Sequence, residues 1–550
     1  MFRVPPILAT WVPISTVGLL FISVMPSPAI ADVDEQQSVA DEIRTLDDFV
    51  ELSRQNQDQY EEEFIEKTSA EELTDEALLL YGIDELTSTE AERLAEFSGD
   101  SIILPDLSEL SSETATALTN WDGTELWMGG LRDIEADILE ILVEWGKVES
   151  HNPAFDREYR RTDRHLHLNG LETLDSSSAE VLANWKGESL SLRGLEQINV
   201  ETASHLAELD TKFLDLSGLA NLDAETASEL ARWKDRGRGA HQLLLDGLEE
   251  LHPDSAEALA KWGDDWEWES ARWRILSLNG LVELSDETSA VLGEWDSGRR
   301  GSLRLNGVRQ LSTDQALGLS AFQGNLYLRG IEEVTVPTAD ALAEGNARFL
   351  VLMGLERFGV DTAEALAEWD GWILELGGDW GLTNALARAL AEMEINKLRL
   401  FNVEELNGES ATPFQLFSGR LSFPNLQRLD SKAAEVLVDR KNNRREVSVF
   451  GYHSAEPQTT EIERFALNSV EIIDAAVAAE LTEWDGNELM LNGVRTLDEE
   501  SAMTFAEWNG SILHLEGLES LSSAAAVQLA RFDGEIKVSE TIAEMLDEHR

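Results

Sequence analysis

The chain has 550 residues, no cysteine, 106 acidic and 43 basic residues, and a formal net charge of −63. Disulfide and thiol chemistry are excluded, so its stability rests on a packed core alone. The charge disfavours nucleic acid and anionic membrane as partners of the whole surface.

Arg3 precedes an apolar run from about Ile7 to Met25, followed by Pro26, Pro28 and the small-residue triplet Ala29-Ile30-Ala31. That layout predicts a secretory signal peptide over 1–31 and a mature chain beginning at Asp32. No later stretch is apolar for the roughly eighteen residues that crossing a bilayer requires. The expectation is an exported protein, periplasmic or secreted, with no membrane insertion after signal cleavage. An acidic helical stretch from Asp41 to about Thr74 leads to the assignment of 32–75 as an N-terminal cap.

Self-similarity begins after the cap. LHLNGLETLDSSSAEVLANWKGES from Leu166, LSLRGLEQINVETASHLAELDT from Leu190 and LMLNGVRTLDEESAMTFAEWNG from Leu489 share one template, L-x-L-x-G-L-x-x-L followed by an Ala/Leu stretch ending in an aromatic. With the glycine as a register mark, seventeen units fall at Gly82, Asp106, Gly130, Gly170, Gly194, Gly218, Gly247, Gly280, Gly307, Gly330, Gly354, Gly378, Asn402, Asn425, Ser469, Gly493 and Gly517. A degenerate eighteenth follows at Ile536, and most spacings are 23 or 24 residues. Alternation with period two makes L-x-L a short strand with its leucines inward. Five places after the mark, fourteen of the seventeen units carry Ser, Thr, Asp or Asn, expected to be helix N-caps. Ala at nine places, in fifteen units, and an aromatic at fifteen places, Trp in nine units and Phe in four, predict the inner face of a short helix. Rings recurring at one internal register read as a stacked core column rather than a sugar-binding surface. The fold class is therefore an α/β solenoid of about eighteen strand-turn-helix repeats over 76–538, a parallel sheet on one face and short helices on the other, with 539–550 as C-terminal cap.

A strand, a turn and a short helix at this spacing resemble the leucine-rich-repeat superfamily, from about Leu78 to Ile542. The usual pattern L-x-x-L-x-L-x-x-N-x-L has Asn or Cys where this chain has Leu171, Leu195 or Leu219. The resemblance thus implies repeats that lack the usual asparagine ladder, with a horseshoe and a straighter coil both open. It also implies a protein-interaction scaffold with no particular partner.

Two surfaces are candidates for binding. Positions one, three and five before each mark sample the outward strand face, 54 positions with eight basic residues (Arg193, Arg304, Arg329, Lys397, Arg399, Arg420, Arg464 and Lys537) and seven acidic. Spread evenly, −63 over 550 residues would place about −6 there. The richest strip is Arg304, Tyr327, Arg329, Phe349, Glu375, Lys397, Arg399, Phe401 and Arg420, with the aromatic and arginine content of binding hot spots. The second surface is an edge of long spacings between a helix end and the next strand, carrying Arg157, Arg160, Arg161, Arg164, Arg236, Arg238, Arg299, Arg300, Arg440, Arg444 and Arg445. Such loops suit an anionic glycan or the acidic body of a neighbouring copy.

Catalytic patterns are weak. H-E-x-x-H, G-x-S-x-G and G-x-x-x-x-G-K are missing. His165 and His167 share a strand face with no identifiable third metal ligand, and Asp-Gly pairs such as Asp122-Gly123 read as turns rather than calcium loops. The sequence therefore predicts a non-enzymatic, cofactor-free binding scaffold for a protein or anionic glycan ligand. A self-assembling protein of the cell envelope is the alternative.

Overall fold

A computed structural model describes residues 77–147, 162–233, 239–263, 272–298, 300–442, 447–449 and 464–549. Contacts divide the chain into two compact units, Met1–Leu219 and Ala220–Arg550.

In the first unit, Ala77–Leu79, Ser101–Leu104, Glu125–Met128, Thr162–His167, Gly187–Ser191 and Phe213–Asp215 each pair in parallel with the next. The second unit repeats the arrangement with thirteen parallel strands from Gly239–Leu244 to Glu535–Lys537. The register follows the L-x-L pattern. Leu276, Leu303, Leu326, Leu350, Leu374, Leu398 and Leu421 are successive partners across the strands of the second unit. All seven lie between 0 and 2% exposed, the buried side of a sheet covered by helices.

The turn glycines are required by space more than by dihedral angle. A Cβ on Gly280 would lie 2.1 Å from the Asp246 carbonyl oxygen, and one on Gly307 2.2 Å from that of Asn279. Each turn is thus pressed against the turn before it, and a methyl there would push the repeats apart.

All fourteen polar residues expected as N-caps accept a backbone N–H at a helix start, among them Asp175 from Ser178 at 2.7 Å and Asp223 from Thr226 at 2.9 Å. The fifteen alanines at the helical register are 0–1% exposed, so helices and strands approach where a larger side chain would not fit. The aromatic column is core. Trp233, Trp262, Trp295 and Phe322 stack at centroid spacings of 5.6, 5.9 and 6.0 Å, and Trp121 lies 6.2 Å from Trp145 in the first unit. Four of the column's indoles also reach back one repeat. Nε1 of Trp145, Trp262, Trp295 and Trp508 donates to the carbonyl of Trp121, Trp233, Trp262 and Trp484 respectively, the same register one repeat earlier.

One spacing is resolved differently from expectation. The interval between Asn425 and Ser469 is not a loop insertion: the helix runs Ser431–Asn442 and a further strand, Val447–Val449, enters the sheet between Arg420–Ser422 and Arg464–Leu467. The pattern V-S-V-F-G places an unread register mark at Gly451. At the chain's end the helix Glu540–Asp547 buries Ile542 and Leu546. No helix among the described residues is long and apolar enough to cross a membrane.

Candidate functional site on the strand face

Pairing register decides which outward side chains meet. In the second unit Ser277, Arg304, Tyr327, Val351, Glu375, Arg399 and Ser422 form one cross-strand row. Ser302, Asn325, Phe349, Ile373, Lys397 and Arg420 form the row two residues earlier. Neighbouring strands lie about 4.8 Å apart, so adjacent members of a row are in contact range.

The guanidinium groups of Arg304 and Arg329 each lie 5.8 Å from the centroid of the Tyr327 ring. Burial pushes the Tyr327 phenol up. Burial also lowers the Arg304 guanidinium, and the neighbouring Arg329 charge lowers it further, against the attraction of Tyr327 and Asp246. Three strands on, Arg399 donates to Glu375 Oε1 at 2.8 Å. Three members of the predicted strip are not available to a ligand as read from the sequence: Lys397 is 5% exposed, Phe401 8% and Glu375 7%. Phe349 instead joins an edge cluster, 5.8 Å from Trp372, with Arg348 4.0 Å above the Trp372 ring.

The basic edge also changes character. Arg164 is 1% exposed and packs 4.5 Å over the Trp145 ring, where burial lowers its guanidinium. Arg440 is 2% exposed and donates to the carbonyls of Phe414, Phe417 and Gly419. Both were expected on ligand-facing loops. Arg440 stands fifteen places after Asn425, the aromatic register, so its guanidinium occupies an indole's slot and serves the Phe417 carbonyl that an indole would serve. Arg300 is exposed and stacks 5.1 Å over Trp273, itself 41% exposed. Arg157, Arg160, Arg161, Arg236, Arg238, Arg299, Arg444 and Arg445 lie outside the described residues.

Leu171, Leu195 and Leu219 are 0% exposed, so the usual asparagine position is apolar, as read. The turn amides are served from the residue before the mark instead. Asn279 N–H donates to Asp246 Oδ1 at 2.9 Å, Asn306 N–H to Asn279 Oδ1 at 3.1 Å, and Arg329 N–H to Asn306 Oδ1 at 3.1 Å. This displaced ladder was legible as Asp246, Asn279 and Asn306, each one place before a mark.

The first unit's strand face is a tighter polar surface. His167 stacks on Trp127 at 3.5 Å, and burial lowers its imidazole well below the ordinary value. His165 Nδ1 lies 2.7 Å from Ser189 Oγ, and Arg193 pairs with Asp215 at 2.5 Å. Among the described residues no group of three His, Cys, Asp or Glu side chains converges as metal ligands.

Successive parallel strands, each leading through a tight turn into a helix at a 23–24-residue period, define the architecture. The fold is a leucine-rich-repeat solenoid. No family profile matches the sequence, and no curated protein does. Among solved structures, the mouse RP105/MD-1 complex is 15% identical over 85% of this chain and 83% of that one, with a TM-score of 0.43. The TLR13–ssRNA13 complex is 16% identical over 84% of this chain and 64% of that one, with a TM-score of 0.40. A leucine-rich-repeat protein of Leptospira interrogans is 15% identical over 85% of this chain and 97% of its own, with a TM-score of 0.28.

Proposed function

We propose that this solenoid is an exported, non-enzymatic binding scaffold that takes a protein or anionic glycan ligand on the strand face between Ser302 and Ser422. The observation that carries the reading is the Arg304–Tyr327–Arg329 stack on two adjacent strands, with the Glu375–Arg399 pair beyond Val351 of the next strand, in a chain of net charge −63. Side chains that fill no core and are held by their neighbours offer a preorganised surface, which lowers the ordering cost of association. Their aromatic and guanidinium character matches that of energetic centres at interfaces.

The test is binding of the chain from Asp32 to arrays of glycans and to envelope and extracellular proteins, beside a Tyr327→Ser/Arg399→Ser variant. A third sample changes Arg157, Arg160 and Arg161 to Ser and leaves the buried Arg164 intact. Affinity that falls at least about tenfold in the strand-face variant supports the reading. Binding lost only in the insertion variant moves the site to the basic edge, and binding unchanged in both contradicts the strand-face assignment.

A further inference from the structure

The strands of the second unit end on an open edge. Glu535–Lys537 pairs in parallel with Ile512–His514, and no strand among the described residues pairs with its other side. Glu535 N–H donates to the Ser511 carbonyl at 2.9 Å, and the Lys537 carbonyl accepts the Leu515 N–H at 2.8 Å. Both residues thus turn their backbone groups to the preceding strand, and by the alternation of a ladder the N–H and C=O of Ile536 point out from the edge. Apolar surface is left there as well. Ile536 partners Leu513, which is 0% exposed, and Val538 stands at the register of Leu515, also 0% exposed, yet Ile536 and Val538 are only half-buried. The helix Glu540–Asp547 buries its own Ile542 and Leu546 without closing over these two. On the outward face Glu535 and Lys537 make no ion pair among the described residues.

We propose that this edge joins a second copy of the chain, the two Glu535–Lys537 strands pairing antiparallel about a two-fold axis at Ile536. The sequence G-E-I-K-V over 534–538 decides the orientation. In the antiparallel arrangement Ile536 exchanges both backbone hydrogen bonds with Ile536 of the second copy, and Gly534 faces Val538 of the second copy. Glu535 then stands opposite Lys537 of the second copy, and Lys537 opposite its Glu535, in the closer, non-hydrogen-bonded positions. Parallel in-register pairing would oppose glutamate to glutamate and lysine to lysine, which is destabilising. The glycine leaves room for the valine, so Ile536 and Val538 of both copies meet on the inner side of the sheet. Such a contact is self-complementary and closes on itself. Opposing it, the helix behind the edge exposes Glu540, Glu544, Asp547 and Glu548, and the axis doubles that charge. Salt screens like charges spread over two copies more than pairs in contact, so association strengthens as salt rises. Basic insertions meeting acidic helices would respond in the opposite sense.

The experiment is sedimentation velocity of the chain from Asp32 over a concentration series at low and moderate salt. A monomer–dimer equilibrium is expected, shifted toward dimer by salt. Glu535→Lys and Lys537→Glu each set like charges opposite one another across the axis, and each should weaken the dimer at least about tenfold. Mixed in equal amounts, the two variants restore both opposite-charge pairs, so dimer returns in the mixture alone. That return also shows that neither variant lost its dimer by misfolding. A dimer that both variants leave unchanged, a mixture that associates no better than its parts, or a dimer that salt weakens overturns the proposal. A monomer at every concentration overturns it too, and leaves the edge to an extended segment of a different protein.

Discussion

Arg440 provides the sharpest test of how the repeat register works. Replacing it with Ala removes a buried guanidinium that donates to three carbonyls, with Phe417 O at 2.7 Å and Gly419 O at 2.8 Å. Three charge-assisted hydrogen bonds at roughly 1.5–2 kcal/mol each give about 5 kcal/mol. Relief of the desolvation of a buried cation returns about 1–2 of that, leaving a loss of roughly 3–4 kcal/mol. The register suggests a rescue. Arg440→Trp restores the aromatic of the column, whose Nε1–H would serve the Phe417 carbonyl as Trp508 serves that of Trp484 at 3.1 Å. Its cost is overpacking, about 2 kcal/mol or less. Urea unfolding followed by hydrogen exchange of peptides spanning 408–442 measures both variants locally, which suits a repeat array whose unfolding need not be two-state. An Ala variant with wild-type protection, or a Trp variant as damaged as the Ala variant, would refute the register argument.

Trp262→Phe keeps the stacked column but removes the Nε1 bond to the Trp233 carbonyl at 3.0 Å, and should lower stability by about 1–2 kcal/mol in urea titration. Asp223 is held below the usual carboxylate range, chiefly by the backbone N–H of Thr226. A depressed folded value means stability present above the unfolded value of about 3.9 and lost as pH falls through the folded one, so Asp223→Asn should flatten the acid limb of a thermal-unfolding series. Asp223→Ala should cost about 1 kcal/mol at neutral pH as a lost N-cap. His167 is lowered by burial, then by the His165 and Arg193 charges. The unfolded chain therefore binds the proton more readily, and stability should decline as pH drops below about 6.5. His167→Phe should abolish that decline while leaving the melting temperature at pH 8 nearly unchanged, and a decline that persists would place its origin elsewhere.

Much of this fold is legible because each repeat writes the same physical solution in the same register. Leucines two apart, a polar residue at plus five and an alanine at plus nine specify strand face, cap and close helix contact without reference to the rest of the chain. What the sequence concealed lies where chemistry was shared between side chains of different type. Arg440 reads as a loop cation until its register is counted, because a guanidinium and an indole are unlike in composition but alike as buried N–H donors. Arg164 is concealed for a related reason, its charge suggesting solvent while its ring partner, Trp145, lies in the preceding repeat. The strand Val447–Val449 was hidden by the loss of leucine and of a 23-residue interval. The candidate site was legible as a composition, cations and rings spared the general acidity. Its pairing was not, since the Glu375–Arg399 bridge depends on register between strands and the burial of Lys397 and Phe401 on neighbours above and below.

A ligand seated on the strand face would shield its outward side chains from solvent. Hydroxyl-radical footprinting of the chain with and without a bound array hit tests it directly, because Tyr327, Phe349 and Met353 on that side and Leu317 and Leu416 on exposed helical segments all report by oxidation. Protection of Tyr327 and Met353 with unchanged oxidation of Leu317 and Leu416 is the predicted result. Protection of the helical reporters alone would contradict it.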